Sequence, residues 1–402
     1  MPSFTRLIAN KRVSASFSAF FGLLTVGGLS VAHLASSQAP PLRADVAISW
    51  EEQERLGSVS GTTAHVPIPK EVRGIYWTAL TAGSAKAVDR LTGYISANKL
   101  NTAVIDLKMD DGEIAFATKD PMLVPYAETH PAIHDLEALL SRLQQQNVYR
   151  IARIAVMRDG AMASVHPDIA LLGKGKTYWR DSIGSVWVDP ASPLVTETAI
   201  HLAREAYARG FDEVQFDYVR YPSDGKTSSI SYPVSTSSEM HLPAMQTFFK
   251  TVGSALEEDG IPHSFDVFGM TFWSTSDFNI GQRLNDVYAY ADYVSPMVYP
   301  SHYPAGFKGY KNPADFPYEI VKRSLDQGVE TLKIGFALLK PEEARPKFRP
   351  WIQDFNIGAK YDAAHVEAQV KAARDAGASG WLVWNARNVY TPACYVSSTC
   401  SR

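Results

Sequence analysis

The chain has 402 residues, 46% of them hydrophobic and 20% charged, which excludes a disordered polypeptide and allows one large domain with short appendages. Its 39 basic and 42 acidic residues leave a formal charge of −3, with no long Lys/Arg run outside the extreme N-terminus, so nucleic acid is not an expected partner. The two cysteines, Cys394 and Cys400, are too few for a disulfide-built fold and have no neighbouring histidine to make a zinc site; they suit a small tail loop. No metal site and no cofactor is expected.

In chain order, Arg6, Lys11 and Arg12 precede an uncharged apolar stretch, 15–32, that ends in the small residues Ser30 and Ala32. Residues 1–35 therefore read as a signal peptide or an N-terminal membrane anchor, and either places the rest outside the cytoplasm, in the periplasm or beyond the cell. Residues 36–70, punctuated by Pro40-Pro41, Pro67 and Pro69, read as a linker. Strand patterns follow at 72–79, 102–108, 149–157, 213–220, 264–270, 293–299, 332–338 and 380–385. Helical patterns separate them at 85–97, 133–146, 195–209, 242–258, 281–291, 317–327 and 363–376, several stopping at a glycine such as Gly210 or Gly260. Eight apolar strands alternating with helices fit a (β/α)8 TIM barrel over 71–390, with a C-terminal tail at 391–402. No Gly-x-Gly-x-x-Gly or Walker-type loop supports a nucleotide-binding α/β fold.

The fourth strand carries the sharpest signal. Val214, Phe216 and Tyr218 share one parity and Glu213, Gln215 and Asp217 the other, and the run stops at Pro222. A polar row on a buried strand costs roughly 2 kcal/mol or more per unsatisfied group unless it is paired or used. Asp217 then either serves chemistry or pairs structurally with Arg153 or Arg220. Barrel sites form where strands end, and the ends here offer Asp106, Lys108 and Asp110, then Arg153, Gln215, Asp217 and Arg220. Later ends add Asp266, Tyr299, Trp384 and Asn385, while Trp351 and Asp354 lie in a separate Trp-Ile-Gln-Asp phrase. Carboxylates, amides, cations and rings on one face suit a sugar, which offers hydroxyls to bond and apolar faces to stack on. Glycoside hydrolysis needs two carboxyl groups; Asp217 is the nucleophile candidate and Asp266, on the adjacent strand, the leading partner, ahead of Asp106 and Asp354. The remaining residues named are candidate substrate contacts.

Residues 72–76, 104–108, 151–154, 210–222, 293–300, 349–355 and 380–385, taken together, resemble a bacterial glycoside hydrolase family whose barrel is related to the α-amylase clan. The resemblance implies a TIM barrel, a catalytic Asp at the end of strand four, here Asp217, and a carbohydrate substrate. Chitinase-like barrels share the Gly-Phe-Asp start of that strand, but Val219 occupies the position of their terminal Glu, which argues against a substrate-assisted mechanism. The expected activity is an exported glycoside hydrolase acting on a cell-envelope or extracellular polysaccharide. The alternative is a non-catalytic glycan-binding barrel.

Overall fold

The computed structural model of the protein describes residues 64–396. Eight parallel strands close a barrel in chain order: β1 (Val72–Trp77), β2 (Thr102–Lys108), β3 (Tyr149–Ala155), β4 (Glu213–Asp217), β5 (His263–Phe268), β6 (Tyr293–Met297), β7 (Trp351–Gln353) and β8 (Gly380–Trp384). The principal helices around it are α1 (Ala85–Ala97), α2 (Leu136–Gln145), α3 (Pro193–Arg209), α4 (His241–Glu258), α5 (Leu284–Tyr288), α6 (Pro317–Lys333) and α7 (Ala363–Asp375). This is the (β/α)8 architecture that the alternation of patterns implies. The expected signal peptide or anchor lies outside the described residues, among which no helix is long and apolar enough to cross a membrane.

Local chemistry sets the element ends. The Ser84 hydroxyl caps α1 by accepting from the Ala87 amide, and the helix buries Val88, Leu91, Thr92 and Ile95 on one stripe. Pro193 opens α3, and Gly210, at φ 113°, closes it in a left-handed turn that a side chain would strain. Residues before β1 belong to the folded body: the buried Val66 donates its amide to Asp212 Oδ1 at 2.7 Å, and His65 stacks on Tyr207. At the other end Tyr395 is buried and stacks on Trp381.

The seventh strand departs from the sequence reading. The apolar run 332–338 does not join the barrel; α6 continues to Lys333, and Ile334 and Leu338 are exposed. The stripe Ile320, Val321, Leu325, Val329 and Leu332 carries the 3.6-residue period onward and overrides the strand-like run. Trp351–Gln353 takes the place, pairing with Met297 of β6 and with Leu382–Trp384 of β8.

Inside the barrel, Val72, Tyr76, Val104, Tyr149, Ile151, Tyr299, Trp351 and Leu382 form a cluster separate from the larger core. Beneath it sits a sealed ion pair. Arg349 Nη1 donates to both oxygens of Glu213 at 2.8 and 2.6 Å, Ser264 and Tyr149 donate to the same carboxylate, and the guanidinium lies 3.5 Å from the Tyr293 ring centroid. Breaking such a pair strands a buried charge, so Arg349→Met is expected to lower unfolding free energy by about 3–5 kcal/mol, with Glu213→Leu/Arg349→Met regaining most of it. Urea unfolding of the two variants checks this; a double variant no more stable than the single one would contradict it.

Candidate active site

The C-terminal ends of β2, β3, β4 and β5 meet around one guanidinium. Arg153, fully buried on β3, donates from Nε and Nη2 to Asp217 Oδ2 at 3.1 and 2.6 Å, from Nη1 to Asp106 Oδ1 at 2.5 Å, and from Nη2 to Asp110 Oδ1 at 3.2 Å. Asp217 Oδ1 accepts the Tyr218 amide at 2.6 Å. Asp106 also accepts the Tyr76 hydroxyl. Burial pushes the Asp106 carboxyl up to about 6, against the pull of Arg153 and with the help of the Asp110 charge.

Asp266 lies one strand away. The β4–β5 register pairs Phe216 with Phe265, so Asp217 and Asp266 are the next residues up on strands about 4.8 Å apart. Its Oδ1 accepts the Trp351 indole N–H at 2.8 Å. Burial, then the nearby Asp217 charge, drives the Asp266 carboxyl well above the ordinary carboxylate range. The rim therefore sets an Arg-bonded carboxylate beside a carboxyl group that favours its protonated form. Separated environments of this kind suit acid–base chemistry.

Aromatic rings wall the site. Tyr76 stacks on Trp384 with centroids 4.1 Å apart, Trp384 meets Trp351 edge-on at 5.5 Å, and Arg153 lies 5.4 Å from the Trp384 ring. Tyr299 is buried beside them, its hydroxyl pKa pushed up by burial and then by the Asp266 and Asp217 charges.

Several candidates stand elsewhere. Lys108 donates to the Ala155 carbonyl and pairs with Asp159 Oδ2, both at 2.7 Å, among Ile154, Met162 and Val195 in the layer between strands and helices. The β2–β3 register slips between Asp106 and Lys108, which breaks the shared parity on which a cleft role for Lys108 rested. Gln215 is sealed one layer lower, donating to Ser295 Oγ at 3.0 Å. Asp354 accepts the amide and hydroxyl of Thr391, each at 2.7 Å, and Asn385 Nδ2 donates to the Asp354 and Val389 carbonyls, each at 2.6 Å. These two residues fasten the chain after β8 rather than face the carboxylates. Arg220 stands at the site, with its guanidinium 4.5 Å from the Phe268 ring.

Three features escape the alternating pattern. Tyr218 has φ 54°, a left-handed kink directly after Asp217 that ends the period of two, and its hydroxyl accepts from Arg158 Nη1 at 2.8 Å and donates to Asp110. The loop after β3 folds back through an antiparallel bridge between Arg158 and Trp187, bringing Trp187 edge-on to Tyr218. Asp181 in that loop binds Arg158 Nη2 at 3.1 Å and the Trp187 indole at 3.0 Å. Only the length of the loop hinted at Asp181 and Trp187.

Residues 74–390 match the family model described as "Putative glycosyl hydrolase domain". No curated protein sequence matches the chain. Among solved structures, a hypothetical protein from Ruminiclostridium thermocellum ATCC 27405 aligns at 25% identity over 48% of this chain and 97% of its own, with a TM-score of 0.42. The PgaB (BpsB) glycoside hydrolase domain from Bordetella bronchiseptica aligns at 13% identity over 79% of this chain and 95% of its own, with a TM-score of 0.56, a likeness of fold. With its barrel closed, its carboxylates gathered at the strand ends and the family model spanning nearly the whole barrel, the chain belongs to this glycosyl hydrolase family.

Proposed function

We propose that the protein hydrolyses glycosidic bonds of a cell-envelope or extracellular polysaccharide, with Asp217 as nucleophile and Asp266 as the acid that protonates the leaving oxygen. One observation carries the assignment: two carboxyl groups at consecutive levels of adjacent strands have been given opposite environments, Asp217 bonded to Arg153 and Asp266 buried against Trp351. The strand spacing of about 4.8 Å matches the close pair of a retaining enzyme, about 5–5.5 Å, better than the wider pair that admits a water for inversion. Kinship with the α-amylase clan would imply the same two-step course. Arg153 orients Asp217 and spreads its charge, and the half-buried Trp384, backed by the buried Tyr76, supplies a ring face for a sugar. The apolar segment behind Arg6, Lys11 and Arg12 supports export, by cleavage or as an anchor.

On a glycan that the wild-type protein cleaves, Asp217→Asn should abolish turnover with the fold intact, and Asp266→Asn should lower kcat/KM by roughly 10²–10⁴-fold. Proton NMR of the first-formed product should show the substrate's anomeric configuration; inversion, or full activity of Asp217→Asn, would remove the assignment. A glycan bound by wild type but left uncut would favour the non-catalytic barrel.

The pH profile has a determined sign. The acid works while protonated, so activity declines as pH rises through the Asp266 pKa. The Trp351 indole favours the ionised form of Asp266 by hydrogen bonding to it, so Trp351→Phe should raise that pKa and move the alkaline limb to higher pH. A limb that stays in place or moves to lower pH would show that another group is the acid.

A further inference from the structure

Three arginines crowd the Tyr218 ring, Arg158 at 5.0 Å, Arg220 at 5.5 Å and Arg153 at 6.0 Å from its centroid. Two are neutralised within the protein: Arg153 by Asp106, Asp110 and Asp217, and Arg158 by Asp110 and Asp181. Arg220 forms no ion pair with a described residue, although it is only 6% exposed. Its Nη1 is spent on the Tyr221 carbonyl at 3.0 Å and on Ser223 Oγ at 3.1 Å. Nε and Nη2 make no hydrogen bond with a described residue, and neither is among the polar atoms sealed from solvent without a partner. The neighbouring carboxylate Asp224 is occupied by Ser182.

A buried cation without a counter-ion is costly, and here the surroundings deepen the cost. Phe268, Trp187 and Tyr218 flank the guanidinium at 4.5, 5.0 and 5.5 Å and keep water from much of its surface. Desolvation lowers the Arg220 pKa against the pull of the Asp217 and Asp224 carboxylates, neither of which pairs with it, so the cation is under-compensated where it stands. The free pair, Nε and Nη2, is the edge of a guanidinium that binds a planar carboxylate through two parallel bonds. With the chain at net −3, its overall charge offers no pull on an acidic polymer, and any such pull falls to local cations.

We propose that Arg220 binds the carboxylate of an acidic sugar residue, of the uronic acid class, in the glycan cleaved at Asp217. The inference rests on the hydrolase reading for its substrate and adds that substrate's charge. The rings around Arg220 offer the sugar's apolar face a wall while the fork holds its carboxylate. A neutral sugar at this position would leave the fork unpaired, and the site would reject it for that reason.

The test uses oligosaccharides of polygalacturonate, alginate and hyaluronan, each beside its carboxyl-reduced neutral counterpart, with hydrolysis and calorimetric binding both recorded. The full chain should favour at least one carboxylated form over its reduced counterpart by roughly ten- to hundred-fold, the worth of a hydrogen-bonded charge pair. Arg220→Gln should lose that preference, its loss on the carboxylated form exceeding its loss on the reduced form by the same factor, and Arg220→Lys should recover part of it; thermal melts establish that both variants fold. Equal handling of the two forms by wild type, a preference for the reduced forms, a preference that survives in Arg220→Gln, or no binding of any carboxylated form would overturn the inference. Cleavage of reduced forms alone would leave the hydrolase reading standing without it. Arg220-dependent binding of a carboxylated form that is never cut would support the recognition and remove the hydrolase reading.

Discussion

The mouth of this barrel is organised by a single cation. Asp106, Asp110 and Asp217 come from the ends of two strands and a loop, and without Arg153 between them their mutual repulsion in a desolvated site would open the rim or force protonation of more than one. Burial already carries Asp106 to about 6 with the guanidinium present. The arrangement spans β2, β3 and β4, so the geometry of the candidate nucleophile depends on how the barrel closes and not on any one loop. The sealed Glu213–Arg349 pair below it has the same logic at greater depth, where β4 and Arg349, two residues before β7, are held across the barrel.

What the amino-acid sequence discloses divides along physical lines. Alternating strand and helix periods give the barrel, because each element buries one face by a periodic rule. The polar row Glu213, Gln215, Asp217 is legible for the same reason, yet its members end in three settings: an ion pair at the floor, an amide bonded to Ser295, and an Arg-bonded carboxylate at the mouth. Depth along a strand decides accessibility, and parity carries no information about depth. Parity itself fails where backbone geometry changes, at the register slip that turns Lys108 toward Asp159 and at the left-handed Tyr218. The three-residue β7 is too short to register as a period, while the apolar run 332–338 imitates a strand and closes a helix instead. Asp354 and Asn385 sit at strand ends as site residues do, but Thr391 and backbone carbonyls claim them, and those partners are invisible before the chain is folded.

Tyr218 shows how strain serves the site. A non-glycine residue held at φ 54° costs on the order of 1–3 kcal/mol, and the surrounding contacts over-determine it: its hydroxyl is fixed by Arg158 and Asp110 and its ring by Trp187. The same kink lets the Tyr218 amide reach back to Asp217 Oδ1, so one backbone distortion aims both a carboxylate and a ring. A loop that provides Arg158, Asp181 and Trp187 maintains it, which couples the long excursion after β3 to the candidate chemistry at the end of β4.

Charge around that ring is unevenly distributed, and the unevenness has a direction. On the side of β2 and β3, carboxylates meet two guanidiniums and the protein answers its own charges. On the side of Arg220, rings take the place of carboxylates. Phe268 closes β5 two residues beyond Asp266, so the under-compensated cation adjoins the strand that holds the proposed acid. An anionic substituent seated there would complete the charge balance of the mouth only when substrate is bound, and its binding would also add negative charge near Asp266. A further negative charge raises a carboxyl pKa. Substrate would thereby reinforce the protonated state that Asp266 needs for its proposed role as an acid, tying recognition at Arg220 to the readiness of the proposed pair.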